Sequence, residues 1–540
     1  MASNFKFSTA GCAYCRLFGR KSSRIPQDIR DKCLKKCTGG CFACQKLTDI
    51  ERKIADARCA LQSLLDAREE LASTLNAYHD PFVHRLPLEI TSSIFVHCRP
   101  VEPLVYTSAL RHDEKKLTRA VLSLGRVCQS WRKISRSTPE LWTIFCVSIT
   151  PSNCVPSVVF TNEWLERSGV LPLSIQIDVE DNPDEEEDID EKARFELCHN
   201  IAQKVIAAAA QHAHRWELLD LQVPSKFLPM ISTFLAAKDM HRLRLLKLYS
   251  CPGFGDEEIL HLNASPQRVV QKLGQLDQIS IDWTAVTHTS IFQLDFYDAI
   301  DLFQNAPNLL SCEILYGDYS DDHSLPESYV VAPALLRLEI RRFPFHFWDY
   351  FTFPSLVTLH LTSPNRFDGG WDWTRLQNLL RRSSCSIQEL SIKDASETPD
   401  TAGLIDVLKL TPDLKRLTVS GILVESVFCS LDAAVMFYGN MPPTTDFLKN
   451  LESVRCETNQ SEFNWSPLVA FLTNMTFRSE RSLYTFDFKY TEEYSEEVCC
   501  SIMNRDVLKC VLEVVHGLKF KLLDYRGLDL LGRLRRFHKV

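Results

Sequence analysis

Two Cys-x-x-Cys pairs near the amino terminus, Cys12/Cys15 and Cys41/Cys44, have a spacing that suits a bound metal. Thiolates with two residues between them can occupy two corners of a tetrahedral zinc site, so the two pairs could supply four ligands, with Cys33 and Cys37 competing for the same ion. The 25 residues between the pairs exceed the usual ribbon gap, and the order of spacings matches neither the fungal binuclear zinc cluster nor a RING. Residue types alone leave these cysteines open between zinc ligands and reduced thiols in a loose tail. Residues 1–46 also hold ten Lys and Arg against Asp28 and Asp31, a basic excess that suits phosphate contact. Nucleic acid is nevertheless not the expected partner, because basic tails are common.

No arrangement of side chains points to catalysis. The chain has no Gly-x-x-x-x-Gly-Lys-Ser/Thr phosphate loop, no His-Glu-x-x-His, no Gly-x-Ser-x-Gly elbow and no Gly-x-Gly-x-x-Gly after a strand. With 15 His and 69 Asp plus Glu, acid–base pairs arise by chance in any fold, so spacing singles out none of them. The expectation is a binding protein rather than an enzyme.

Composition narrows the class further. Apolar residues at 45% and charged residues at 24% are the proportions of a globular chain, and 540 residues suffice for several domains or one long repeat array. The longest apolar stretches, such as Val205 to Ala210, fall far short of the roughly 20 residues that span a bilayer. Residues 1–20 show no signal-peptide core, so the expected location is intracellular, cytoplasmic or nuclear. Of the 20 cysteines, those at Cys98, Cys128, Cys146, Cys312 and Cys456 sit singly in apolar segments, as reduced core thiols do; no disulfide framework is expected. The formal charge of −8 is concentrated between Asp178 and Glu191, where ten carboxylates stand without a Lys or Arg. Such a run repels itself and is expected to loop out.

The head (1–46) is followed by a helix over 47–80. Leu47, Ile50, Ile54, Ala57, Leu61, Leu64, Leu71, Leu75 and Tyr78 alternate three and four apart, with Arg68 interrupting the series. Asp80-Pro81 should stop it, because a residue before proline is pushed out of the helical region. The stripe can pair with a second copy through 47–78 or lie against its own domain. Residues 81–147 then read as short helices. Leu86-Pro87-Leu88-Glu89-Ile90 is a helix start, with proline tolerated in the first turn and Glu89 near the positive end. Ile90, Ile94, Phe95 and Cys98 form one stripe; Leu124, Val127, Cys128 and Trp131 form another, followed by Pro139-Glu140-Leu141-Trp142. So many large apolar groups in so short a unit imply a partner surface.

These motifs resemble the F-box: Leu86-Pro87-x-Glu89-Ile90-x-x-x-Ile94-Phe95, Val127-Cys128-x-x-Trp131 and Pro139-x-Leu141-Trp142. Together with the preceding heptad helix and Trp164-Leu165-Glu166-Arg167-Ser168-Gly169 running into Pro172-Leu173-Ser174-Ile175, the layout is similar to the large F-box-like families of mushroom-forming fungi. The resemblance covers roughly 47–180. One departure is a longer span from Leu86 to Trp131, with Pro100 to Thr118 read as an inserted loop. The resemblance implies docking on the Skp-type adaptor of a cullin-RING ubiquitin ligase. It assigns the contact to Leu86, Pro87, Glu89, Ile90, Ile94 and Phe95, with Val127, Trp131, Leu141 and Trp142 as supporting core or part of the contact.

From Val170 onward an apolar triplet of the form Leu-x-x-Leu-x-Leu recurs, beginning at residues 170, 216, 243, 276, 309, 335, 356, 387, 414, 451 and 483. From Trp216 the starts are 21 to 37 residues apart, the scale of one strand, one helix and their loops. Pro307, Pro333, Pro354 and Pro412 each stand two residues before a triplet, where they would launch the chain extended. Helices are expected at Ala299–Asn305, Thr374–Arg382, Ala402–Leu410, Pro467–Asn474 and Val507–His516. The expected class is α/β: a coiled-coil-like helix and a small all-α F-box-like domain, then a leucine-rich-repeat-like solenoid over 160–540 with an acidic loop at 178–191. Arg244, Lys247, Arg337, Glu339, Glu389, Lys415 and Arg416 would line its binding face. The leading expectation is a substrate receptor of a Skp-cullin-F-box ligase whose repeats hold a protein target. The alternative is a binding protein outside the ubiquitin system, led by a zinc-binding, nucleic-acid-binding basic head.

Overall fold

The computed structural model describes residues 42–79, 85–99, 114–150, 158–180, 189–249, 259–272, 276–318, 328–341, 348–362, 372–394, 402–421, 424, 427–431, 447–459, 463–476, 483–493, 502–515 and 518–539. It divides into two compact units, Met1–Ser93 with Leu124–Ile134, and Ile94–Ser123 with Ser135–Val540. The first carries α1 (Phe42–His79), the start of α2 (Leu88–His97), the end of α3 (Glu114–Val127) and most of α4 (Gln129–Arg136). The helix predicted at 47–80 thus begins five residues earlier. The predicted insertion at Pro100 to Thr118 ends in helix, since α3 starts at Glu114. The stripe Leu124 to Trp131 does not run on one helix: it breaks at Cys128, whose Sγ accepts from the Trp131 backbone N–H at 3.4 Å as a cap for α4.

The second unit is built on a 14-stranded sheet, all parallel, in which strands neighbour one another in chain order. They are β1 (Ile144–Ile149), β2 (Leu173–Val179), β3 (Trp216–Gln222), β4 (Leu245–Tyr249), β5 (Arg268–Gln271), β6 (His288–Asp295) and β7 (Ser311–Asp318). They continue with β8 (Arg337–Arg341), β9 (Thr358–Thr362), β10 (Glu389–Asp394), β11 (Arg416–Gly421), β12 (Ser453–Thr458), β13 (Thr485–Tyr490) and β14 (Lys519–Leu523). The sheet therefore starts at Ile144, inside the segment expected to be F-box-like and well ahead of residue 160.

Alternation explains each strand. In β2, Leu173, Ile175, Ile177 and Val179 are buried while Ser174, Gln176 and Asp178 are half-buried on the opposite face. Parallel neighbours require a crossover, and α5 (Val158–Arg167), α6 (Ile189–Ala210), α7 (Leu228–Leu235), α8 (Phe296–Asn305), α9 (Trp373–Ser383), α10 (Ala402–Lys409), α11 (Ser466–Thr476) and α12 (Arg505–Val514) lie in those connections. α13 (Leu531–His538) follows the last strand. The five expected helices are all present, with ends moved by at most three residues. Among the described residues one continuous apolar core runs from Val269 to Leu534.

The recurring turn before the strands is more specific than the proline spacing suggested. The backbone N–H of Leu309, Leu335, Leu356, Leu414 and Leu451 each donates to the carbonyl three residues earlier, at Ala306, Ala332, Phe353, Thr411 and Leu448. Pro307, Pro333, Pro354 and Pro412 fill the second position of this turn, where their fixed φ is already correct. Side-chain caps start the helices: Asp295, Asp372 and Asn504 accept from the N–H groups of Asp298, Arg375 and Val507.

Three sequence expectations fail here. The triplet at Leu276 contributes only Ile279–Ser280 to a two-stranded pair with Leu260–His261, whereas β5 and β6 supply the main sheet. Val170 is exposed, because Gly169 takes a left-handed conformation (φ 59°) that ends α5 and turns the chain before β2. The acidic run is not wholly a loop: Asp178 lies in β2 and Ile189 to Glu191 open α6, while 181–188 lie outside the described residues.

Candidate functional site

The start of α2 presents an apolar surface. The Pro87 carbonyl accepts from the Thr91 N–H at 3.1 Å and from Thr91 Oγ1 at 3.2 Å, which fixes the first turn with the proline just outside it. Thr91 and Phe95 are buried at 1% exposure, so one face of the helix is committed to packing. At the start of the helix Pro87, Leu88, Glu89 and Ile90 are exposed, Leu88 at 54% and Ile90 at 49%. Leu86 and Ile94 are half-buried. Leu88 was not among the expected contacts; its position between Pro87 and Ile90 on the first turn was the available signal.

The remaining expected contacts separate by burial. Val127, the last residue of α3, is 54% exposed, and Trp131 is half-buried. Phe95, Leu141 and Trp142 are buried at 1%, 1% and 2%: Leu141 and Trp142 take the supporting-core alternative, while Phe95, expected at the contact, is corrected to a packing residue. Trp142 donates Nε1–H to the Ser135 carbonyl at 2.7 Å, meets Trp164 edge to face at 4.7 Å and carries the Arg167 guanidinium over its ring. Trp164 donates to the Ile144 carbonyl at the head of β1. The buried Ser168 hydroxyl donates to the Leu165 carbonyl and accepts from Arg215 Nη2 at 2.6 Å. The motif Trp164 to Gly169 therefore secures the first strands of the sheet.

The polar face of the sheet carries the second surface, a charged ladder spanning β6 to β11. Register places Ser290, Glu313, Glu339 and His360 side by side. Ser290 Oγ donates to Glu313 at 2.9 Å, and Arg341 bridges Glu313 (3.1 Å) and Glu339 (2.6 Å). Arg337 donates to Glu339 at 3.0 Å; Glu389 lies 3.2 Å from His360 Nε2 and accepts from Arg416 at 2.7 Å. Arg337 Nη2 lies 3.2 Å from His360 Nδ1, and Glu339 lies 3.6 Å from the same nitrogen. The His360 hydrogen bond, then Arg341 and Arg337 against the cost of burial, hold the Glu339 carboxyl down at about 2. Burial opposes the same effect at Glu389, but Arg416 and His360 outweigh it and keep that carboxyl below the usual range.

Of the expected face, Arg244, Arg337 and Arg416 are exposed, and Glu339, Glu389 and Lys415 are half-buried. Lys247 is corrected: it is 5% exposed, with Nζ 3.7 Å from Asp220 on the neighbouring strand. Burial pushes the Asp220 carboxyl up to about 6 against the pull of Lys247, and it pushes the neighbouring Tyr249 up to about 12. Sequence reading missed Glu313, Arg341 and His360. Glu313 and His360 occupy the middle of their apolar triplets, the position that also holds Glu339, so register was the signal.

The other expected groups carry no site. Among the described residues no cluster of His, Cys, Asp and Glu could hold a metal. Cys12, Cys15 and Cys41 lie outside the described residues, as does the side chain of Cys44 on α1. Cys312 and Cys456 are buried free thiols, pushed far up by burial, whereas Cys98 is exposed rather than core. Among the described residues no helix is long and apolar enough to cross a membrane. The chain matches no known family model, and comparison with curated proteins finds no relative.

Proposed function

We propose that this chain is a non-catalytic substrate receptor of a Skp-cullin-F-box ubiquitin ligase. The observation that carries the reading is the first turn of α2, where Pro87, Leu88 and Ile90 lie exposed while Thr91 and Phe95, further along the same helix, are buried. An apolar surface fixed on a rigid helix suits a partner that buries it, and its residues fall on the motif that resembles the F-box. The sheet is read as a leucine-rich-repeat-like solenoid; its chain-order parallel strands and repeated Pro turn support that reading. Its polar face, with the Glu313 to Arg416 ladder, is the target-binding surface, and a protein target of mixed charge is the occupant. The receptor acts by proximity: holding adaptor and target on one chain raises the effective concentration of a target lysine near the ubiquitin-loaded enzyme.

Co-purification with a Skp-type adaptor tests this reading. Wild-type protein retains the adaptor at micromolar concentration, and a Pro87→Ala/Leu88→Ala/Ile90→Ala variant loses it with unchanged thermal unfolding. Equal retention by both, or none by the wild type, contradicts the proposal.

A further inference from the structure

We infer that the apolar stripe of α1 joins two copies of this chain in an antiparallel pair in which Ala57 of each copy faces Arg68 of the other. The described stripe is exposed: Ile50, Ile54, Leu61, Leu64, Leu71 and Leu75 are 47–68% exposed, and Ala57 and Arg68 are exposed on the same face. A 38-residue helix is about 57 Å long, enough for eight layers of packed side chains. A soluble helix with such a seam needs a second helix to cover it.

The order of residues selects both partner and direction. In an antiparallel pair each layer sets an a position of one helix against a d position of the other. One register places Ile50 against Leu75, Ile54 against Leu71, Ala57 against Arg68 and Leu61 against Leu64, and symmetry repeats each layer once. The one small residue of this seam then meets its one long charged residue. The Arg68 stem can lie across the Ala57 methyl group and carry its guanidinium to water. Moving the register by one heptad either way destroys the match, putting Arg68 opposite Ile50 or Leu64. No second protein is needed to explain the pattern, because the stripe complements itself.

A parallel pair fits worse. It stacks Arg68 on Arg68 within the seam and leaves a gap where Ala57 meets Ala57. At the flanks it brings Lys46 near Glu51 but sets Lys53 against Arg58. The antiparallel register places Lys53 beside Thr74, Arg58 beside Ala72 and Leu65 beside Leu65 of the second copy, so no like charges meet. Exposed Leu65 (45%) then lies at the two-fold axis and extends the apolar contact there. Like-charge contacts in an interface disfavour a pairing as strongly as good contacts favour one, so the charges choose the direction.

The experiment is sedimentation equilibrium of the full-length chain, using variants at exposed positions whose folding is checked by circular dichroism. Wild-type protein is expected at twice its 61.9 kDa mass at micromolar concentration, and Leu61→Asp/Leu64→Asp at the monomer mass. Ala57→Glu sets a carboxylate against Arg68 and is expected to hold or tighten the dimer. Ala57→Arg should weaken it by about tenfold or more, and adding Arg68→Glu to that variant should restore it. A monomeric wild type, a dimer indifferent to Leu61→Asp/Leu64→Asp, or dissociation by Ala57→Glu would overturn the inference; the last result is what a parallel pair predicts.

Discussion

The stripe of α1 and the inward faces of the strands are both apolar periodicities, yet they meet opposite fates. On α1 the seam residues are about half exposed, whereas Leu338, Leu359, Leu390 and Leu417 in β8 to β11 are no more than 1% exposed. Each strand is covered by its neighbours and crossover helices, whereas the described seam residues of the long helix remain exposed. Periodicity thus specifies which face of an element is apolar; topology decides whether that face is closed internally or left for a partner.

Matched substitutions break this comparison most severely. Leu417→Asp buries an unpaired charge beside Leu390 and Val454, its register neighbours, and is expected to cost roughly 4 kcal/mol or more in urea unfolding. Leu64→Asp, at 68% exposure on α1, should leave the unfolding midpoint of the sheet unchanged to within about 0.5 kcal/mol. Comparable losses at the two positions would contradict the contrast.

A milder change sharpens it. A methyl group built on Gly403 in α10 would fall 2.2 Å from the buried ring of Trp373 on α9. Gly403→Ala is therefore expected to destabilise by about 1–3 kcal/mol through overpacking, despite the better helix propensity of alanine. Thermal unfolding checks this.

The sheet also contains two opposed responses to pH. Asp220 is raised to about 6, so its folded state holds a proton that the unfolded chain releases near 4. Its contribution is full below about 4 and is lost as pH rises through 6, a change of order 1–3 kcal/mol. Glu339, held down at about 2, behaves inversely: its contribution is present above about 4.5 and is lost as pH falls toward 2. Asp220→Asn should flatten the stability profile between pH 4 and 6, and Glu339→Gln should flatten the acid limb, each measured by urea unfolding at stepped pH. The smallest effect is expected for Arg416→Ala: its side chain is 54% exposed, and the loss should be at most about 0.5 kcal/mol.

How much was legible in the sequence depended on who supplies the cover. The strands from Leu309 to Phe488 could be read because their inward positions are uniformly apolar and most follow a Pro turn. β5 and β6 escaped notice because Gln271 and Thr289 occupy buried positions there, while the more apolar triplet at Leu276 belongs to a side pair. β1 escaped because its alternation lies directly behind the motif ending at Trp142. The first turn of α2 was legible from Leu86-Pro87, but a linear pattern could not separate exposed Ile90 from buried Phe95. The ladder was half visible: its arginines and glutamates were named, yet the links through Glu313, Arg341 and His360 exist only once the register of adjacent strands is set.

The central claim, that the exposed turn of α2 is a docking surface for a Skp-type adaptor, is tested most directly by amide hydrogen exchange of the full-length chain with and without that adaptor. The account predicts slowed exchange across residues 85–97 on adding the adaptor and unchanged exchange in β7 to β11. Unchanged exchange at 85–97 under saturating adaptor, or protection confined to the sheet, would contradict it.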